Sequence, residues 1–303
     1  MIDPILVEQL DQTIDRLLSG QPLQELSGLA AVASELMHLP DEAFKLRLKS
    51  ELQRRATMPA STLSIREGFR TVTPYITLPD GEPLIAFLKA AFGAQETLRH
   101  IPGPGRLHAE LRIGDSMVMI GAGPGDGNPI ALHIFVDDCD AVFVRALAAG
   151  AKNLGDPADR PYGERSGFVE DPFGNVYFIA TRPGGRPPVD VVPYLFPQQA
   201  KPYIDFLTRA FGGESQGVYE EGGRVMHASV RIGDAVVEMG EAQGNVPRGS
   251  SFMMYVDDVD AAYARAVAAG AISVRAPGDR PYGQRDASVL DPAGYTWHPA
   301  KRL

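Results

Sequence analysis

Polar residues alternate along two short segments of this 303-residue chain, His108, Glu110 and Arg112 in HAELRI, and His227, Ser229 and Arg231 in HASVRI. Residues two apart on an extended strand share a face. Ala109, Leu111 and Ile113 therefore pack inward and turn the polar set to the opposite side. A histidine there can act as a general base near neutral pH, and an Arg–Glu pair can orient a polar ligand. Equally, Arg and Glu can neutralise each other on a half-wet strand pair, and the residue types leave both readings open. His133 lies two residues before Phe135 on a third extended segment, IALHIFV. His108, Glu110 and His133 also form a weak set of metal-type donors.

The elements that position these residues are legible from periodicity. PLIAFLKAAF (83–92) carries apolar residues at helical spacing and stops at Gly93, and DAVFVRALAAG (140–150) is a second helix ending at Gly150. HAELRI turns at Gly114-Asp115 into SMVMIG, a hairpin signal, and strands near 166–170 and 175–180 flank the Asp171-Pro-Phe-Gly turn. The residue pattern reads β-α-β-β twice over, an α+β arrangement with an antiparallel-rich sheet. Gly121-Ala-Gly-Pro-Gly-Asp-Gly offers glycines of the nucleotide-loop kind, but Asn128-Pro129 and a strand follow instead of a helix.

The whole pattern recurs. A shift of 119 residues lays AFLKAAFGA on DFLTRAFGG and HAELRIGDS on HASVRIGDA; a shift of 120 lays VDDCDA on VDDVDA, DRPYGER on DRPYGQR and DPFG on DPAG. Two modules, 71–181 and 189–303, are thus joined by a Pro/Gly-rich linker at 182–188. Two copies of domain size suggest an internal pseudo-dimer. Residues 1–57 read as a small helical head and 58–70 as a second linker. In DRPYGER and DRPYGQR, Tyr162, Arg165, Tyr282 and Arg285 read as turn residues, with an anion clamp as the alternative.

Composition narrows the function classes. Lys and Arg total 29 against 38 Asp and Glu, a net charge of −9, which argues against nucleic acid as partner. No apolar run approaches the ~18 residues of a membrane span. Cys139 is the single cysteine, so zinc ribbons and CxxC redox motifs are out. The N-terminal residues lack a basic, apolar leader pattern, and the chain reads as cytoplasmic.

Together, TPYITL, AFGA, HAELRIGDS, VDDCDA, AAGA, YGER and DPFGNVYFIAT resemble the vicinal oxygen chelate superfamily of glyoxalase I, bleomycin resistance proteins and extradiol dioxygenases, with the PhnB-like branch nearest. The resemblance covers both modules. It implies two tandem modules of paired βαβββ units whose sheets form clefts, preceded by the helical segment. Metal-binding members use His or Glu on the first, fourth, fifth and last strands. The matching positions are Thr73, Met119, Ala131 and Phe178 in module 1, and Val192, Glu238, Ser251 and His298 in module 2. Only Glu238 and His298 could ligate Ni, Zn, Fe or Mn. In a glyoxalase-like arrangement they fall in different composite sites; in self-contained modules they converge.

The resulting expectation is a small-molecule-binding protein that sequesters an aromatic or amphipathic metabolite or drug with no obligatory metal. Met117, Met119, Phe135, Phe178, Met253 and Tyr255 would be apolar anchors, and His108, Glu110, Glu238 and His298 polar ones. A divalent-metal-dependent lyase, isomerase or dioxygenase is the alternative, and a ligand-sensing regulator whose helical head meets a partner is the third.

Overall fold

The computed structural model describes residues 65–125, 127–161, 163–182, 190–244 and 249–303. The helical head at 1–57, Tyr162 and most of the 182–188 linker lie outside these residues. Ile65–Leu303 form one compact unit. Within it each module folds as two βαβββ units. Module 1 runs β1 (Val72–Leu78), α1 (Glu82–Phe92), β2 (Gln95–Gly103), β3 (Arg106–Ile113) and β4 (Ser116–Ala122), then β5 (Ala131–Phe135), α2 (Cys139–Ala148), β6 (Lys152–Asp159), β7 (Arg165–Glu170) and β8 (Val176–Thr181). Module 2 repeats this as β9 (Val191–Leu195), α3 (Ala200–Phe211), β10 (Glu214–Glu221), β11 (Arg224–Ile232) and β12 (Ala235–Met239), then β13 (Ser251–Tyr255), α4 (Val259–Ala268), β14 (Ile272–Arg280), β15 (Gln284–Leu290) and β16 (Thr296–Arg302).

One strand per unit goes beyond the residue pattern. These strands, β2, β6, β10 and β14, are the four sheet edges and are largely exposed. A strand with no buried face has no hydrophobic alternation to reveal it.

The strands assemble into two eight-stranded sheets, each taking half its strands from each module. Sheet A has the order β14-β15-β16-β13-β1-β4-β3-β2, and sheet B β10-β11-β12-β9-β5-β8-β7-β6. The modules meet at the centre of each sheet, where β1 pairs antiparallel with β13 (Thr73 opposite Met253) and β5 with β9 (His133 opposite Val192). The β3–β4 turn seals one junction. Asp115 accepts the Asp190 amide at 2.9 Å, and Asp190 accepts the Asp115 amide at 3.0 Å. Gly114, at φ +58, lies so close that a Cβ would fall 1.8 Å from the Asp190 carboxylate. The matched Gly233 turn sets Asp234 against the Thr71 amide and hydroxyl, each at 2.7 Å.

Helices cover one face of each sheet. α1 buries Leu84, Ile85, Phe87, Leu88, Ala91 and Phe92 and ends at Gly93 in the left-handed region, whereas Asp138 caps α2 by accepting the Ala141 amide. Their apolar stripes and the helix-facing strand residues form the main core, with Trp297, Tyr177 and Tyr295 fully buried. The Asp-Pro turns are built into that core. Asp171 accepts from the Phe173 and Asn175 amides, the Asn175 side chain and the Tyr177 hydroxyl. Asp291 likewise holds the Ala293 and Tyr295 amides, the Tyr203 hydroxyl and Trp297 Nε1. The opposite face of each sheet, its cleft face, carries the polar residues singled out above.

Because each module supplies half of both sheets, a lone module exposes the edges of β1 and β5. Residues 65–182 expressed alone should therefore dimerise, with β1 of each copy taking β5 of the other as its antiparallel partner. Sedimentation equilibrium checks this, and a folded monomer would contradict the account.

Candidate functional site

Strand alternation and the composite sheets set the two cleft faces, and the faces differ chemically. On sheet B, β5 presents His133 and Phe135, β8 presents Phe178, β7 Phe168, β9 Val192 and Tyr194, and β12 Glu238. His133 is buried, and its Nδ1 lies 2.7 Å from Glu238 Oε2. With an ionised carboxylate opposite it, Nδ1 is assigned the proton and donates. Its Nε2 lies 3.6 Å from Glu164 Oε2, outside hydrogen-bond reach. Among the described residues this Nε2 is the buried side-chain nitrogen or oxygen left without a hydrogen-bond partner.

Glu164 is itself buried and ion-paired with Arg182, whose guanidinium sits 4.5 Å over the Phe135 ring. Acidic and basic groups thus alternate through Glu238, His133, Glu164 and Arg182, two of them from module 1, one from module 2 and Arg182 from the first position of the linker. Burial pushes the Glu238 carboxyl up, but the His133 hydrogen bond and the charges of His133, His227 and Arg182 outweigh it and hold the group below its usual range. Beside this chain of charges runs a half-buried aromatic row. Phe168 meets Phe178 at 5.1 Å, Phe178 stacks on Tyr194 at 4.6 Å, and Tyr194 meets Phe196 at 5.1 Å.

On sheet A the cleft face is richer in thioethers. Met117, Met119 and Met253 cluster with Tyr75, Tyr255 and Ala300, and Phe69 from the segment before β1 packs onto them. Glu110 on β3 is buried, 3.5 Å from His108 Nε2, and takes two hydrogen bonds from Arg66 at 2.8 and 2.6 Å. Burial works to raise its carboxyl, and the His108 and Arg66 hydrogen bonds more than offset this and lower it. His298 on β16 bonds Ser288 at 2.8 Å and lies edge-on to Tyr75. Burial, with the Arg275 charge, pushes its imidazole down to about 4.

The structure therefore gathers His108, Glu110, Met117, Met119, Met253, Tyr255 and His298 on sheet A, and His133, Phe135, Phe178 and Glu238 on sheet B. Arg112, exposed, and Arg231, half-buried, bond instead to Gln95 and Glu214 on the neighbouring edge strands. His227 is exposed, 6.2 Å from the Tyr194 ring.

Two expected groupings are corrected. Glu238 lies on sheet B and His298 on sheet A, because each sheet draws its halves from different modules. The pair shares no cleft face and forms no metal site. His108 and Glu110 are separated from His133 in the same way. The inherited metal positions fall as Thr73, Met119, Ser251 and His298 on one sheet, and Val192, Glu238, Ala131 and Phe178 on the other. Each set holds one imidazole or carboxylate, where a divalent ion takes three or four nitrogen, oxygen or thiolate donors. These residues do not fit a metal, and among the described residues no three His, Cys, Asp or Glu side chains gather to hold one.

Glu164, Arg182, Phe168, Tyr194, Phe196, Arg66 and Phe69 were not singled out in the sequence. A signal for one of them exists in the repeat. Glu164 stands where module 2 has Gln284, as His133 stands against Met253 and Glu238 against Met119. The DRPYGER and DRPYGQR arginines serve structure, since Arg165 binds Asp140 and Asp159, and Arg285 binds Asp260 and Asp279. Cavities of about 330 and 230 Å³ lie at the end of β1 and beside α2, and neither is lined by His133, Glu238, Glu110 or His298.

Comparison with known proteins agrees with this architecture. The family model for the glyoxalase/bleomycin resistance protein/dioxygenase superfamily matches residues 71–177 and 193–298, and the chain belongs to that superfamily. An uncharacterized protein of Mycobacterium bovis is 37% identical over 119 residues, 34% of this chain and 78% of the relative. A Mycobacterium tuberculosis relative, also uncharacterized, matches at the same identity over 69% of its length. Glyoxalase I from Zea mays superposes with a TM-score of 0.63 at 17% identity, covering 78% of this chain and 92% of the maize chain. At that identity the likeness shows the fold alone.

Removing the Glu238 charge should cost about 1.5–3 kcal/mol, the usual range for a hydrogen bond to a charged partner; urea unfolding of Glu238→Gln at neutral pH measures it. His298 has a folded value of about 4 against an ordinary 6.5, so the unfolded chain binds the extra proton. Its stabilising effect is complete above pH 6.5 and is lost as pH falls toward 4. His298→Gln should flatten the stability–pH curve over that interval.

Proposed function

We propose that the protein binds and sequesters a planar aromatic small molecule on the cleft face of sheet B, with no obligatory metal. The observation that carries this reading is the half-buried row Phe168, Phe178, Tyr194 and Phe196 beside the buried His133–Glu238 pair. An apolar aromatic wall with a few oriented polar groups is the usual composition of a small-molecule site. Offset stacking contributes ~0.5–1.5 kcal/mol beyond area burial. The His133 Nε2 with no hydrogen-bond partner adds a buried polar atom that a ligand hydroxyl, able both to donate and to accept, would satisfy. A metal-dependent lyase or dioxygenase would need a convergent donor set, which the described residues of neither face supply.

Calorimetric titration with 2-naphthol, a planar ring bearing one donor, tests the reading. One saturable site per chain is expected, weakened about tenfold or more by Phe178→Ala or Tyr194→Ala. Absence of saturable binding at millimolar ligand, with the fold intact, would sink it.

A further inference from the structure

Residues 65–70 precede the first repeat, yet they pack on the cleft face of sheet A. The Gly68 carbonyl accepts the Met117 amide at 2.9 Å, and the Phe69 amide returns to the Arg66 carbonyl at 3.0 Å. Gly68 takes φ +79 in this turn, so the backbone reverses and aims both side chains at the sheet. The Phe69 ring is 6% exposed, lies among Met117, Met119, Met253 and Ala300, and meets Tyr255 edge-on at 5.9 Å. The Arg66 guanidinium sits 4.1 Å over that ring and reaches both oxygens of the buried Glu110.

A flat cation stacked on an aromatic ring and held bidentately by a buried carboxylate is a recognition geometry. An aryl amidinium or arylguanidinium presents the same two features in one molecule. Glu110 is the discriminating element, because a carboxylate this buried requires a cation opposite it. Sheet B has Ser229 at the matched place. The Arg66 side chain keeps 37% of its surface exposed, which leaves it a path off the face.

We propose that the cleft face of sheet A is a binding site for an aromatic cation of the aryl amidinium or arylguanidinium class, and that Arg66 and Phe69 occupy it as an intramolecular stand-in which the ligand displaces. The site shares no residue with the sheet B site and does not depend on it. A tethered occupant competes at an effective concentration in the millimolar range. The intact chain therefore binds such a ligand more weakly than a chain whose stand-in is removed, in proportion to the fraction of time the segment is undocked.

The test is calorimetric titration of the full chain with p-aminobenzamidine, using benzenesulfonate as a ring of opposite charge. Arg66→Ala/Phe69→Ala should bind p-aminobenzamidine about tenfold or more tighter than the unmodified chain. Adding Glu110→Gln should abolish the gain, and benzenesulfonate should bind none of the three. A folded double variant with no gain overturns the proposal, as does a gain that survives Glu110→Gln or is matched by benzenesulfonate. If the double variant does not fold, hydrogen exchange at the Met117 amide of the unmodified chain decides. Millimolar p-aminobenzamidine should accelerate it by releasing the Gly68 carbonyl, and unchanged exchange overturns the proposal. Either failure leaves the 2-naphthol titration and its Phe178 and Tyr194 variants unaffected.

Discussion

The antiparallel joins of β1 to β13 and of β5 to β9 carry the rest of this structure. Each lies at the centre of an eight-stranded sheet and connects residues from different modules, so neither sheet is complete within one repeat. Backbone groups at these positions find their partners only across the module boundary, and buried backbone groups must be paired. The reciprocal Asp115–Asp190 hydrogen bonds and the Thr71–Asp234 contacts close the ends of these joins. Gly114 and Gly233 allow that approach, since a side chain at either would collide with the partner module.

Duplication built on such joins yields two cleft faces free to diverge. The helix faces are alike, each with a buried aspartate tying aromatic side chains to an Asp-Pro turn. The cleft faces are not. Sheet B combines His133, Glu238 and Glu164 with a half-buried aromatic row; sheet A has Met253, Met119 and Gln284 at the matched positions. Thioethers fill irregular apolar space, which suits a face packed by Phe69. The carboxylate–imidazole–carboxylate array of sheet B is costly to bury and is held by alternation of charge from Glu238 to Arg182. Each cleft face thus keeps one imidazole or carboxylate of the inherited metal positions, too few donors for an ion, beside polar groups suited to organic ligands.

Much of the fold was legible in the residues. The repeat, the helices ending at Gly93 and Gly150, the inward set Ala109, Leu111 and Ile113, and the turns at Gly114 and Asp171 all follow from local chemistry and period. The edge strands β2, β6, β10 and β14 are illegible because a largely exposed strand carries no alternation. Glu164 was hidden in a turn motif, and its role depends on a buried imidazole more than 30 residues away.

The sequence by itself determined the modules, the elements within them and which residues of each strand face away from the helices, because these depend on neighbours a few positions apart. Tertiary structure alone decided the partnerships: His133 with Glu238, Arg66 with Glu110, and the separation of Glu238 from His298. The two repeats can pair their half-sheets within a module or across modules with the same local pattern. The choice lies in long-range backbone hydrogen bonds that leave no local signature, and it sets which side chains share a face.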